Sequence, residues 1–272
     1  MLDLIIFSRN RAFQLYALLE SIGERFDSKE IDVKVVYRYD HNHRPALQEV
    51  ISVFPGCEFI DETESTSFKE CILDTLDNDH GLLAFLTDDI IFKENVNVNE
   101  IDAILANNLQ VLTFSLRLGL HIRYCYALDK EQPVPSGNIY APNIFVWEWR
   151  TAQMDWGYPF SVDGHVFRKD QVRGWINNLD FHSPNSFEEA MQECRHSDVP
   201  PMVVCNVLSR LVNIPTNRVQ STHDNRCGDV GVDYLLSKWK DGMCLDLSKY
   251  DRILNKGVHD DLEIFFKERK RA

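Results

Sequence analysis

The sequence has no Cys-x-x-Cys pair, no Gly-x-Gly-x-x-Gly run and no Walker-type phosphate loop. Without paired cysteines, a zinc site of the usual spacing is disfavoured. The seven cysteines, Cys57, Cys71, Cys125, Cys194, Cys205, Cys227 and Cys244, are scattered and odd in number. They read as reduced thiols, several in apolar runs, and point to a cytoplasmic protein. Without the glycine-rich loops, neither a dinucleotide enzyme nor a P-loop NTPase is supported. No apolar run approaches the length of a membrane-crossing helix, and residues 1–7 are too short, and interrupted by Asp3, to serve as a signal peptide. Repeats, low-complexity stretches and separating linkers are also missing, so a single domain over residues 1–272 is expected. Basic charge is in short supply: the net charge of −13 opposes general binding to nucleic acid or anionic membrane. A nucleotide ligand stays open, because its phosphates need only a local basic pocket or a metal.

What is present is an alternation of strand and helix. Residues 2–7 form a short apolar run suited to a buried strand, and Leu15, Leu18, Leu19, Ile22 and Phe26 follow at helical spacing. Residues 33–39, 58–60 and 82–86 read as further strands, each separated from the next by a helical pattern. Pro45 is suited to open one of those helices and Ser67-Phe68-Lys69-Glu70 to cap another. A helix near residues 101–109 and a strand at 111–116 continue the series. This order predicts an α/β fold with a largely parallel central sheet flanked by helices. Beyond residue 116 the pattern loosens into a segment rich in aromatics and prolines, with Trp147, Trp149, Trp156 and Tyr158 close together. Helices are expected again at 169–177, 187–194 and 232–239, the second opened by a capping box at Ser186, and a strand at 202–206.

Ligands of parallel sheets bind at the carboxyl ends of the strands. Three of those ends carry polar candidates. Ser8-Arg9-Asn10-Arg11 offers backbone donors, two guanidinium groups and a helix N-terminus, which suits an anion, although Ser8 or Asn10 as a plain cap fits equally. Asp40 follows the second strand and suits a base or ribose, or a turn. Asp88-Asp89 follows the fourth. An Asp-Asp pair alone is more often a turn, but at a strand end of this topology it suits a hard divalent ion, Mn2+ or Mg2+.

The order of these features resembles the GT-A class of glycosyltransferases, and within it the inverting family 2 type. Phe7-Ser8-Arg9-Asn10-Arg11 is similar to that family's Thr-Tyr-Asn-Arg-like loop, and Phe85-Leu86-Thr87-Asp88-Asp89 to the segment bearing its DXD motif. Here Thr87 stands at the first Asp. The resemblance implies that Asp40 contacts the base, that Asp89 is the chief metal ligand, and that Asp88 serves the ribose or the metal. It implies a nucleotide-sugar donor, UDP-sugar favoured, bound with its metal by residues 1–116. Residues 117–272 would bind a glycan or other hydroxyl-bearing acceptor. Asp163-Gly164-His165-Val166-Phe167-Arg168 is similar to the family's acceptor-side segment, and Glu188 stands where the family places its general base. Asp163 and Asp155 are the second and third choices for that base, and a helix-capping role for Glu188 stays equally open. Lys69 and Arg218 are candidates for the nucleotide and its diphosphate, and His223 for the metal. The three tryptophans suit either a sugar platform or the core. Two rivals share the fold: a sugar nucleotidyltransferase, for which the first loop lacks glycine and lysine, and a non-catalytic sugar- or nucleotide-binding protein.

Overall fold

The structure is a computed structural model and describes residues 1–64, 67–196, 198–219 and 226–269. In chain order the first part comprises β1 (Leu2–Arg9), α1 (Ala12–Arg25), β2 (Ile31–Arg38), α2 (Arg44–Val53), β3 (Glu58–Asp61), α3 (Phe68–Thr75), β4 (Leu82–Thr87), β5 (Ile90–Phe92), α4 (Val98–Asn107) and β6 (Val111–Ser115). There follow β7 (Tyr124–Cys125), β8 (Lys130–Glu131), β9 (Gly137–Ala141), β10 (Ile144–Glu148), β11 (His165–Arg168), α5 (Lys169–Ile176), α6 (Pro184–Met191), β12 (Met202–Asn206), β13 (Leu211–Asn213), α7 (Val232–Lys240), β14 (Met243–Leu245) and β15 (Phe266–Glu268). The expected α/β class is borne out: nine strands form one sheet in the order β3-β2-β1-β4-β11-β6-β12-β10-β9. β1, β2, β3 and β4 run parallel, as do β6 and β12.

The apolar runs that marked the strands are explained by burial on two faces. Leu4 and Ile6 of β1, with Ala84 and Leu86 of β4, pack into one core beside α1, while Ile5, Phe7, Leu83 and Phe85 point into the other beside α3 and α6. Side chains alternate across a strand, so only a nearly continuous apolar sequence serves a sheet covered on both sides.

The looser segment after residue 116 supplies the antiparallel part. β11 enters the middle of the sheet, antiparallel to both β4 and β6. Gly164 makes this entry possible. Its φ is 85°, its amide donates to the Phe85 carbonyl at 2.9 Å and its carbonyl accepts from Leu116 at 2.9 Å, so it joins the ends of β4 and β6. A Cβ there would lie 2.5 Å from Leu211 Cδ2. Gly164→Ala is therefore expected to lower unfolding free energy by about 1–2 kcal/mol from backbone strain, with the Leu211 overlap adding to it; urea titration measures it, and an unchanged midpoint would refute it.

Two expectations shift. Helix α6 starts a turn earlier than the sequence suggests: Ser183 is its cap and accepts from the Ser186 amide, and the Ser186 side chain answers as the third residue of the box. Glu188 thus lies past the first three positions, and a capping role is excluded. The tryptophans are core rather than platform. Trp147, Trp149 and Trp156 are 1%, 2% and 1% exposed, and Trp147 packs edge-on against Trp156. All seven cysteines are free thiols, as expected.

Candidate active site

At the carboxyl ends of β1 and β4 lies a cleft of about 710 Å3. β1 delivers Ser8 and Arg9, the turn into α1 delivers Arg11, and β4 delivers Thr87 with Asp88 and Asp89 just beyond. β6 delivers Arg117, the approach to β11 Asp163, and α6 Glu188, all on the lining. Two of the three expected polar strand ends, those of β1 and β4, therefore converge on the cleft. Arg9, Arg11, Arg38, Arg117, Arg218 and Arg226 all line this cleft, against a chain of net charge −13. Six carboxylates, Glu62, Asp88, Asp89, Asp155, Asp163 and Glu188, line it as well, so the cleft is rich in charge of both signs, and its guanidinium groups suit anionic oxygens.

Asp88 is buried, and both of its oxygens are engaged. Oδ2 accepts from Ser8 Oγ at 2.8 Å and from the Arg9 amide at 3.3 Å, while Oδ1 accepts from Arg11 Nη1 at 2.9 Å. Burial pushes its carboxyl up to about 6 against the pull of Arg11, and the neighbouring Asp89 adds to the push. Asp89 is held more lightly: Oδ1 accepts from Asn213 Nδ2 at 3.0 Å and Oδ2 from Arg11 Nη1 at 3.3 Å. The pairing of β5 with β13 sets this contact, because it lays Asn213 opposite Ile90.

Beside the pair stands a second polar group. Asp163 Oδ1 accepts from Thr87 Oγ1 at 2.8 Å, and Oδ2 lies 3.2 Å from His259 Nε2 and 3.6 Å from Arg117 Nη1. Burial works to raise the Asp163 carboxyl, but His259, Arg117 and Thr87 outweigh it and hold the group well below the usual carboxylate range. Burial likewise works to lower His259, and the bond to Asp163 with its charge outweighs that and raises the imidazole. Asp155 is tied to Arg117 Nη2 at 3.2 Å and to Gln132 Nε2 at 2.8 Å. Glu188 differs in the balance of its partners. Its Oε1 takes a long 3.3 Å bond from the Val162 amide, and although Arg117 and a hydrogen bond from Ser161 pull its carboxyl down, burial, then the charge of Asp163, raises it.

The Asp163–His259 pair fixes a pH dependence. A depressed aspartate contributes stability above its unfolded value near ~3.9, lost as pH falls through its folded pKa. A raised histidine contributes stability below its unfolded value near ~6.5, lost as pH rises through its folded pKa. Both contributions are full between about pH 4 and 6.5. His259→Asn is expected to cost about 1–3 kcal/mol at pH 5.5 and distinctly less at pH 9, read by urea unfolding at both. Equal losses would refute the pairing.

The sequence-expected residues divide clearly. Ser8, Arg9, Arg11, Asp88, Asp89, Asp155, Asp163, Glu188 and Arg218 share the cleft. Asn10 and Asp40 do not line it: Asn10, at φ 58°, exchanges hydrogen bonds of 2.6 and 2.7 Å with Asp40, which faces solvent. Lys69 is directed elsewhere, its ammonium 2.6 Å from the Leu179 carbonyl and 3.2 Å from that of Asn177. His223 lies outside the described residues. Sequence reasoning missed Arg117, Asn213, Asn217 and His259. Arg117 follows the end of β6 closely and was detectable by the strand-end rule. His259 carries no local signal: it is brought in when Asn213 exchanges backbone hydrogen bonds with Val258 and Asp260.

The donor set tests what a metal would find. Asp89 keeps one acceptor direction on each oxygen and fits a one-carboxylate ligand for Mn2+ or Mg2+; Asp88 keeps one on Oδ1 alone, its Oδ2 being filled by Ser8 and the Arg9 amide. Among the described residues a three-group cluster of metal-ligand type occurs at Asp3, Asp32 and His80, at the opposite ends of the strands. That cluster has its own cations, with Lys169 2.8 Å from Asp3 and Lys34 3.6 Å from Asp32.

No protein-family model matches the chain. Over 95% of its length it is 24% identical to the bifunctional glycosyltransferase pgtA of Dictyostelium discoideum, in an alignment of 292 residues. In sequence the chain is similar to a glycosyltransferase. The expected likeness is thereby borne out, and the chain spans 36% of that relative's length. Solved structures similar in fold include S. aureus TarS 1–349 in complex with UDP-GlcNAc, with TM-score 0.46 and 12% identity over 75% of this chain and 58% of that one. Another is the mannosyltransferase PcManGT from Pyrobaculum calidifontis in complex with GDP-Man and Mn2+, with TM-score 0.41 and 12% identity over 76% of this chain and 56% of that one. Among the described residues no helix is long and apolar enough to cross a membrane.

Proposed function

We propose that the chain transfers a sugar from a nucleoside diphosphate sugar, a UDP-sugar in the first instance, to an acceptor hydroxyl with inversion. The observation that carries this reading is the division of labour in the cleft. Arginines and the Asp88–Asp89 pair gather at the ends of β1 and β4, where a diphosphate would sit, and Glu188 of α6, a carboxylate that burial raises, lines the same cleft. Residues 1–116 then hold most of the donor, joined at its diphosphate by Arg117 and Arg218, and the rest of residues 117–272 the acceptor. The likeness to a glycosyltransferase over 95% of the chain supports the same assignment.

Glu188 is the base in this reading. An inverting transfer needs a carboxylate that accepts the acceptor's proton as its oxygen attacks the sugar carbon and the diphosphate leaves from the other side. Asp163 and Asp155 are poorly suited, since Arg117 and His259 hold their charge in place. Arg117, Arg11 and Arg218 are placed to balance the negative charge that grows on the departing diphosphate. A divalent ion, held by Asp89, would add Lewis-acid stabilisation of that same leaving group.

Binding of the donor is directly measurable. A ligand at one hundred times its Kd stabilises the native state by about 2.7 kcal/mol. UDP-sugars and GDP-sugars with manganese are therefore expected to raise the melting temperature, and release of UDP or GDP on incubation separates an enzyme from a pure binding protein. The absence of any shift with every nucleotide sugar would refute the reading.

A further inference from the structure

The acidic pair already has a cation of its own. Arg11 Nη1 lies 2.9 Å from Asp88 and 3.3 Å from Asp89. Its Nε donates to Asn217 Oδ1 at 2.9 Å and its Nη2 to the Asn217 carbonyl. Gln14 Nε2 reaches the same Asn217 Oδ1 at 3.4 Å, and the Asn217 amide in turn donates to the Val230 carbonyl at 3.0 Å. The Arg11 side chain is 10% exposed. This guanidinium is clamped along its whole edge, and it stands against both carboxylates at once.

The arrangement has a consequence for any metal. A magnesium- or manganese-sized ion calls for about six oxygens in a near-octahedral shell. Asp88 has at most one to give, on Oδ1, and Asp89 gives one or two, well short of six. Two carboxylates facing one guanidinium leave a single uncompensated negative charge, while the fixed arginine repels an incoming dication at close range. A diphosphate supplies what is missing: further oxygens for the shell, and enough negative charge to face Arg11 and the ion together. Resting on the glycosyltransferase reading, we propose that Arg11 is a built-in counter-cation that keeps divalent metal out of the nucleotide-free cleft, so that metal and nucleoside diphosphate enter as an obligate pair.

Linkage makes this a measurable quantity. The factor by which nucleotide strengthens metal binding equals the factor by which metal strengthens nucleotide binding. Calorimetric titration of the full chain with Mn2+, with UDP or GDP, and with nucleotide in excess Mn2+ gives that factor, once Mn2+ held by nucleotide in solution is allowed for. For the wild type, weak binding of Mn2+ alone and a coupling of at least about thirtyfold are expected, within the usual range of coupling free energies. Arg11→Met, which keeps the aliphatic bulk, is expected to tighten Mn2+ binding in the absence of nucleotide at least about tenfold, and so to shrink the coupling. If Arg11→Met does not fold, the wild-type coupling still decides.

Three results overturn the proposal. Tight Mn2+ binding by the wild type without nucleotide, abolished in Asp89→Asn, shows that Arg11 is no barrier. Equal nucleotide affinity with Mn2+ and with a chelator shows that no pair forms, while leaving the donor reading intact. A chain that binds neither UDP nor GDP under any condition removes the glycosyltransferase reading, and the proposal with it.

Discussion

Replacing Glu188 with glutamine is expected to lower kcat by about 10^2- to 10^4-fold, the usual contribution of a positioned base, with little change in donor KM. The substitution keeps the shape and the bond from the Val162 amide, so nucleotide binding and the melting temperature should stay close to wild type. The pH profile sharpens the test. Burial and the charge of Asp163 raise the Glu188 carboxyl, so the wild-type acidic limb should lie above the ordinary glutamate value, and activity should fall as pH drops through it. The residual activity of Glu188→Gln should lack that limb. A variant that keeps full kcat would transfer the role to another carboxylate, and Asp163 and Asp155 are both tied to Arg117.

The second large effect is expected at Asp89. Asp89→Ala removes the carboxylate best placed to meet a metal and leaves Asp88 paired with Arg11, Ser8 and the Arg9 amide. Donor turnover in manganese should fall by about 10^2- to 10^3-fold or more, in line with the loss of one electrostatic contact to a leaving group. Far-ultraviolet circular dichroism and the urea midpoint should be nearly unchanged, because the lost bonds are those to Asn213 and one branch of Arg11. Asp88→Ala is the contrasting case. There Asp89 still balances the Arg11 charge, and a stability loss of about 1–3 kcal/mol is expected from the buried donors of Ser8, the Arg9 amide and Arg11 that lose their acceptor. Turnover and stability therefore separate the two aspartates, and identical behaviour of the two variants would sink the distinction.

The parallel half was legible because its physics is local. Strands buried on both faces must be apolar without interruption, as in Leu-Ile-Ile-Phe of β1 and Leu-Leu-Ala-Phe-Leu of β4, and the helices between them show their period. The residues at and just past the ends of those strands, Ser8 to Arg11 and Thr87 to Asp89, were found by the same rule. The antiparallel half was not. β11 is four residues long and acquires its place only by pairing with β4 and β6, which lie far off in the chain. Its apolar content fits a loop or a core strand equally. Glu188 was identified by resemblance and by its position in a helix. The start of that helix was misplaced, at Ser186 instead of Ser183, because both are good cap residues and only the hydrogen bonds distinguish them. Lys69 and Asp40 failed to join the cleft for a common reason: a polar side chain near a strand end meets its nearest partner first, carbonyl oxygens for one and Asn10 for the other.

His259 gives the site a temporal property. Its imidazole reaches Asp163 because residues 254–260 return to β13, long after the parallel half of the sheet has been specified. A chain growing from its N-terminus holds Ser8, Arg11, Asp88 and Asp163 well before it holds the group that completes their network. Ribosome-bound chains halted before residue 254 should accordingly lack the finished cleft, which is completed only when this return segment docks.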